Sequence, residues 1–221
     1  MLTAKSDPGG MPMKLTRSGR LLIAAAALLL LSAEAFVSDE VVVDPTPSHF
    51  SVCHGFSCAR VTQVGLTDEL WGSIHDIFAE PSRSPGDERY RIGLAIARFE
   101  TIVGEITGTS EDVAENATRG RHWEHQLDCI DESTNSTTYL RILEHEGLLK
   151  WHRPVDRITR GWFLFGLPHT TAVIRETATG QRWTVDSWFF DNGVPPVIVP
   201  LETWRRVRWR PAGPASRPEH S

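Results

Sequence analysis

Three residues in this chain have the types and spacing that suit acyl transfer through sulfur: Cys129, His169 and Asp186. Such chemistry needs a thiolate to attack a carbonyl, an imidazole to take and return the proton, and a carboxylate to hold the imidazole in one tautomer. Asp128 precedes the cysteine, and Asp131 stands where a capping box needs its second acid, so Cys129 falls in the first turn of a helix. Unpaired N–H groups and the positive end of the helix dipole favour a thiolate there. Asp128, Asp131 and Glu132 oppose it, because nearby negative charge disfavours ionisation. His169 opens a β-branched run, and Asp186 lies in the run after the turn signal Thr-Ala-Thr-Gly at 177–180. A four-residue loop there pairs Glu176 with Gln181 and sets Asp186 opposite Thr171. Asp186 then becomes a diagonal neighbour of His169, roughly 7–8 Å away between backbones. A five-residue loop would turn it to the other face. The bland alternatives are a buried inert thiol and a strand histidine already satisfied. Asp186, beside Val185 and close to Trp188, would be an odd core residue without a partner.

The elements that must position these groups are legible as patterns. Ile130, Leu140 and Leu143 continue a helical stripe from Cys129, and Gly147 is a stop signal. The middle of that helix, 133–138, holds only Ser, Thr and Asn, which are weak helix formers. Packing must therefore hold it, and its small side chains let it lie close against a sheet. Upstream, Thr67 caps a helix with Leu70, Trp71, Ile74, Ile77 and Phe78 on its apolar face, and the stretch 81–85 breaks it. A longer helix is expected over 87–107, a strand or hairpin over 50–64, and a loop over 110–124 whose acids form a solvated face. A strand or extended piece is expected over 148–155 and an apolar run of strand type over 161–167, then strands over 169–176, 181–188 and 197–199, and a helix or strand over 201–209. The predicted class is α+β: one domain over 50–210, helices packed on an antiparallel sheet, then a disordered tail over 211–221.

The N-terminus reads as an export signal. Lys14, Arg17 and Arg20 precede an apolar run over 21–31, and Ala33-Glu34-Ala35 is an A-x-A cleavage pattern. The run is shorter than the roughly 20 residues a membrane span needs. Removal of 1–35 is expected, with 36–49 as an extended arm and a periplasmic or secreted product. An uncleaved anchor is the alternative, and Met13 is a second possible start. A net charge of −5 without a basic stripe argues against nucleic acid as partner. Cys53 and Cys58 are close enough to pair in an oxidising compartment, leaving Cys129 free, although the other pairings stay open. A zinc site from His122, His125 and Cys129, with His145 or His152, is a rival reading. Its spacing matches none of the common zinc frameworks, so neither metal nor cofactor is expected. His145 and His152 are then read as surface residues.

The order of Cys on a helix, His on a strand and Asp on the next strand resembles the papain-like superfamily. The likeness is to its transglutaminase-like branch, including the bacterial transglutaminase-like cysteine proteinases. It rests on Asp128-Cys129, on His169-Thr170-Thr171-Ala172-Val173-Ile174 and on Val185-Asp186-Ser187-Trp188, within 120–193. It implies Cys129 as nucleophile, His169 as base and acid, and Asp186 as orienter. The papain oxyanion glutamine has no clear counterpart. The Cys129 N–H is assigned one oxyanion donor, Gln126 or Trp123 the second, and Asn135 a polarising role. The strings 128–135 and 186–193 also resemble a group of uncharacterised exported proteobacterial proteins, which implies no activity. Together these readings point to an exported cysteine acyl-transfer enzyme acting on an amide in a peptide or peptidoglycan-like substrate. The alternative is a non-catalytic binding module of the same fold.

Overall fold

Residues 43–116, 123–161, 168–206 and 210–213 are described in a computed structural model, and all belong to one unit, Glu40–Ser221. The proposed signal segment 1–35, the start of the arm, the apolar run 162–167, His122 and most of the tail lie outside them. The described chain is α+β, with two antiparallel sheets and four helices. Strands β1 (Phe50–His54) and β2 (Arg60–Val64) form a hairpin. Helices α1 (Asp68–His75) and α2 (Pro85–Thr107) follow, then α3 (Cys129–His145). The second sheet runs β3 (His152–Arg160), β4 (His169–Glu176), β5 (Arg182–Asp186), β6 (Val197–Pro200) in spatial order. A short helix, α4 (Leu201–Trp204), ends the described fold. None of the described helices is long and apolar enough to cross a membrane.

The polar helix α3 occupies the middle, packing on β1, on β3, β4 and β5, and on α2. Most of its length is buried, Ser and Thr included. Its hydroxyls donate back into the helix: Thr134 to the Ile130 carbonyl, Thr137 to that of Ser133 and Thr138 to that of Thr134. Burial of polar side chains is tolerable because those bonds satisfy them. Tyr139 stacks on Phe99 of α2 at 4.5 Å, and Phe50 of β1 meets both rings edge-on. Ala172, Ile174 and Val185 complete this core from the sheet.

Two boundaries differ from the sequence reading. Pro85, read as part of a break, is the first residue of α2 behind the Ser84 cap, since proline's missing N–H is harmless there. The extended piece expected from 148 becomes a strand only at His152. Glu88 of α2 takes the N–H groups of Lys150, Trp151 and His152 first, at 2.7–3.0 Å, holding that turn outside the ladder.

Candidate active site

The loop between β4 and β5 has the length the sequence argument needs. Glu176 N–H donates to the Gln181 carbonyl at 2.8 Å, and Ala172 pairs with Val185. The register therefore carries Asp186 to the end of β5 beside the start of β4. His169 Nε2 lies 2.8 Å from Asp186 Oδ2, and both residues are buried. An ionised carboxylate can only accept, so Nε2 carries the proton and Nδ1 keeps the lone pair. Nδ1 is buried and has no hydrogen-bond partner among the described residues. Trp204 Nε1 donates to the same Asp186 oxygen at 2.6 Å, while its ring lies 5.5 Å from the imidazole. Trp188 and Phe189 pack on the imidazole at 4.6 and 5.3 Å. Arg160 sits over the Trp204 ring and donates to the Trp204 carbonyl. Nothing in the sequence pattern singled out Trp204; its signal is only an aromatic in the segment following the last strand.

Cys129 is the first residue of α3, capped by Asp128, with the expected capping box to Asp131. Its sulfur is half-buried and lies 4.0 Å from the Pro168 carbonyl, with the Thr170 N–H also directed at it. These two groups flank His169 in the chain, so the thiol stands against the backbone that carries the imidazole. Ile130 and Asp131 donate to Asp128 Oδ1, both at 3.0 Å, and Glu132 donates to the Asp128 carbonyl. The Cys129 N–H has no oxygen acceptor among the described residues and faces its own sulfur. That leaves the N–H unused by the fold.

The thiol is not the depressed one that a helix N-terminus alone would give. Burial raises its pKa to about 11, and the charges of Asp128 and Asp186 add to that against the N–H groups of Thr170 and Cys129. The other first-turn acids contribute less negative charge than their number suggests. Burial, with help from Asp128, raises Asp131 to about 7. Glu132 is raised well above its ordinary value, by burial and then by the charges of Glu100 and Asp112. Glu132 bonds to Asp112, and Glu100 to Ser187, the neighbour of Asp186. This buried carboxyl cluster reaches the end of β5 through Ser187. Asp112, expected on a solvated face, belongs to it: its Oδ1 accepts the Leu127 N–H at 2.7 Å.

Beside the thiol, residues Gly55, Phe56, Ser57 and Cys58 are all left-handed, with φ of 76°, 65°, 58° and 53°. Cys53 and Cys58 close this turn as a disulfide. Asp131 accepts the N–H groups of Phe56 and Cys58 at 2.7 and 2.6 Å, and Asp128 accepts that of Ser57 at 3.0 Å. The acids that cap the thiol helix thus also hold the turn.

The structure places the three supporting residues as follows. Gln126 cannot serve as oxyanion donor in this conformation: its Nε2 donates to the Glu111 carbonyl at 2.8 Å, while its Oε1 accepts from Asn116 and the Val113 N–H. Its role is to brace the 111–116 loop. Asn135 is buried and clamps Cys53, accepting its N–H at 2.7 Å and donating to its carbonyl at 2.8 Å. Trp123 packs against Gly55 and Arg60, on the hairpin side. His152, read as a surface residue, is buried against Glu88, whereas His145 is exposed beside Glu146. Among the described residues no cluster of His, Cys, Asp and Glu is arranged to hold a metal ion, and His125 Nδ1 lies 3.1 Å from the Gly108 carbonyl.

In comparisons with known proteins, the chain matches no family model, no curated protein and no solved structure.

Proposed function

We propose that the protein is an exported cysteine acyl-transfer enzyme of papain- or transglutaminase-like type, acting on an amide of a peptide or peptidoglycan-like substrate. The observation that carries this reading is the polarised imidazole. One nitrogen of His169 is held by Asp186 at 2.8 Å, the other is buried without a partner among the described residues, and the backbone on either side of His169 faces the Cys129 sulfur. With a thiol pKa of about 11, the resting sulfur is protonated. In the reaction Nδ1 takes the Sγ proton as sulfur bonds to the carbonyl carbon, and the oxyanion rests on the Cys129 N–H. Collapse breaks the C–N bond, and the imidazolium returns the proton to the departing amine. Water or a second amine, deprotonated by Nδ1, then attacks the thioester and releases the thiol. The Cys53–Cys58 disulfide and the N-terminal sequence pattern support an oxidising compartment.

A non-catalytic binding module is the second reading, and the raised thiol pKa favours it. Cys129→Ala separates the two. The enzyme reading expects loss of iodoacetamide labelling and of amidase activity with an unchanged melting temperature. A large fall in melting temperature, with no turnover by the parent protein, would establish the packing role instead.

A further inference from the structure

Between α3 and the edge strand β3 runs a groove of about 430 Å³, lined by Ile130, Thr137, Arg141, Asp156, Arg157 and Thr170, among others. Ile130 follows the thiol in the chain and the Thr170 N–H faces the sulfur, so one end of the groove lies toward Cys129. Positions 130, 134, 137 and 141 form one stripe of α3. On the opposite wall β3 carries a bulge. Val155 pairs with Val173 and Ile158 with Thr171, so Asp156 and Arg157 together oppose Ala172. An inserted residue of this kind re-aims side chains, and both bulge residues line the groove.

The charge of this wall reverses that of the molecule. The chain is net negative, yet the groove gathers two arginines against one aspartate. Arg157 donates to the Thr134 hydroxyl, and no carboxylate among the described residues forms an ion pair with either arginine. Burial, and secondarily the charge of Arg141, lowers the Arg157 pKa. Two like charges held within reach of each other, without a counter-ion, would be relieved by an anion.

From these observations we infer that the groove is a substrate subsite for an acidic peptide, with Arg157 and Arg141 receiving carboxylates on one side of the amide presented to Cys129. The inference rests on the reading of Cys129 as nucleophile. Helix rise supplies a ruler. Thr134, which holds Arg157, is about 7.5 Å along α3 from Cys129, and position 141 is about 10 Å further. An extended peptide advances about 3.3–3.6 Å per residue. Arg157 therefore reads the side chain about two residues from the cleaved amide, and Arg141 one about three residues beyond it.

Two measurements test this, chosen so that the subsite and the nucleophile can fail separately. In the first, internally quenched peptides of alternating Ala and Glu are compared with their Ala and Gln counterparts as substrates. The Glu series is expected to have kcat/KM about tenfold higher. Arg157→Gln should collapse most of that preference through KM with kcat unchanged, and Arg141→Gln a smaller part. In the second, fluorescein-labelled versions are titrated against Cys129→Ala protein by anisotropy. The Glu peptide should bind more tightly, lose that advantage with added salt, and lose it again when Arg157→Gln is combined with Cys129→Ala. Turnover without a Glu preference, or equal binding of both peptides, overturns the subsite and leaves the nucleophile standing. Salt-sensitive Glu binding that needs the arginines, with no turnover of any peptide, keeps the subsite and overturns the nucleophile. If Arg157→Gln lowers the melting temperature, the decision passes to Arg141→Gln, whose side chain is exposed.

Discussion

Among the described residues are two buried histidine–carboxylate pairs, and they differ in how they use the same groups. At the start of β3, His152 Nδ1 donates to Glu88 at 2.9 Å, while Nε2 accepts from Arg89 at 3.1 Å. Glu88 also receives three successive backbone N–H groups. Every valence is used, and the pair locks α2 to the turn before the sheet. At the start of β4, His169 uses only Nε2, and Asp186 is braced by one indole N–H. The open valence belongs to a residue whose chain neighbours, Pro168 and Thr170, face a thiol. A saturated pair can only hold; a pair with a free lone pair can move a proton.

The sharpest way to break this comparison is to remove each imidazole in turn. His169→Ala should cut kcat per folded molecule on the order of 10⁴-fold. His152→Ala should cost about 3 kcal/mol of stability by denaturant titration with kcat per folded molecule unchanged. Equal effects of the two variants on kcat would erase the distinction.

A smaller effect is expected from the brace. Trp204→Phe keeps a ring on the imidazole but removes the N–H donated to Asp186, and should lower kcat roughly tenfold, the value of one hydrogen bond to a charged group. A structural role alone would leave the pH profile of kcat in place, so its basic displacement of the acid limb is the informative readout.

The third test concerns carboxyls that have no histidine. Glu100 is raised from 4.5 to about 8 and Asp112 from 3.8 to about 7, burial being the main cause in both. Folded-state values above the unfolded ones mean that both groups favour folding most when protonated. Their contribution is full below about pH 4 and is lost as pH rises through about 7 to 8. The melting temperature should fall across that window, and Glu100→Gln should flatten the decline. A stability that rises over the same window would refute the assignment.

What the sequence made legible was local or periodic. The capping box at Asp128, the cap at Thr67 and the loop at 177–180 each depend on residues within a few positions of one another, and the Asp186 register follows from loop length by counting. Gln126, Asn135, Asp112 and His152 were misread for the opposite reason. Each is fixed by a partner 15 to 82 residues away in the chain. Polar residues look alike in sequence whether they face water, a loop backbone or a neighbouring carboxyl. Trp204 was invisible on the same ground, since an indole N–H gives no periodic mark. Arg157 reaches the groove from a strand bulge that no motif announces.

The left-handed turn at 55–58 has a practical consequence for anyone measuring this protein. Non-glycine residues in that conformation each cost about 1–2 kcal/mol, and the crosslink between Cys53 and Cys58 helps to hold three of them beneath the acids that start the thiol helix. Dithiothreitol, routinely added to keep a catalytic cysteine reduced, would attack that crosslink as well. The reagent meant to protect the thiol would loosen its support, so the proposed activity is to be measured both with and without it.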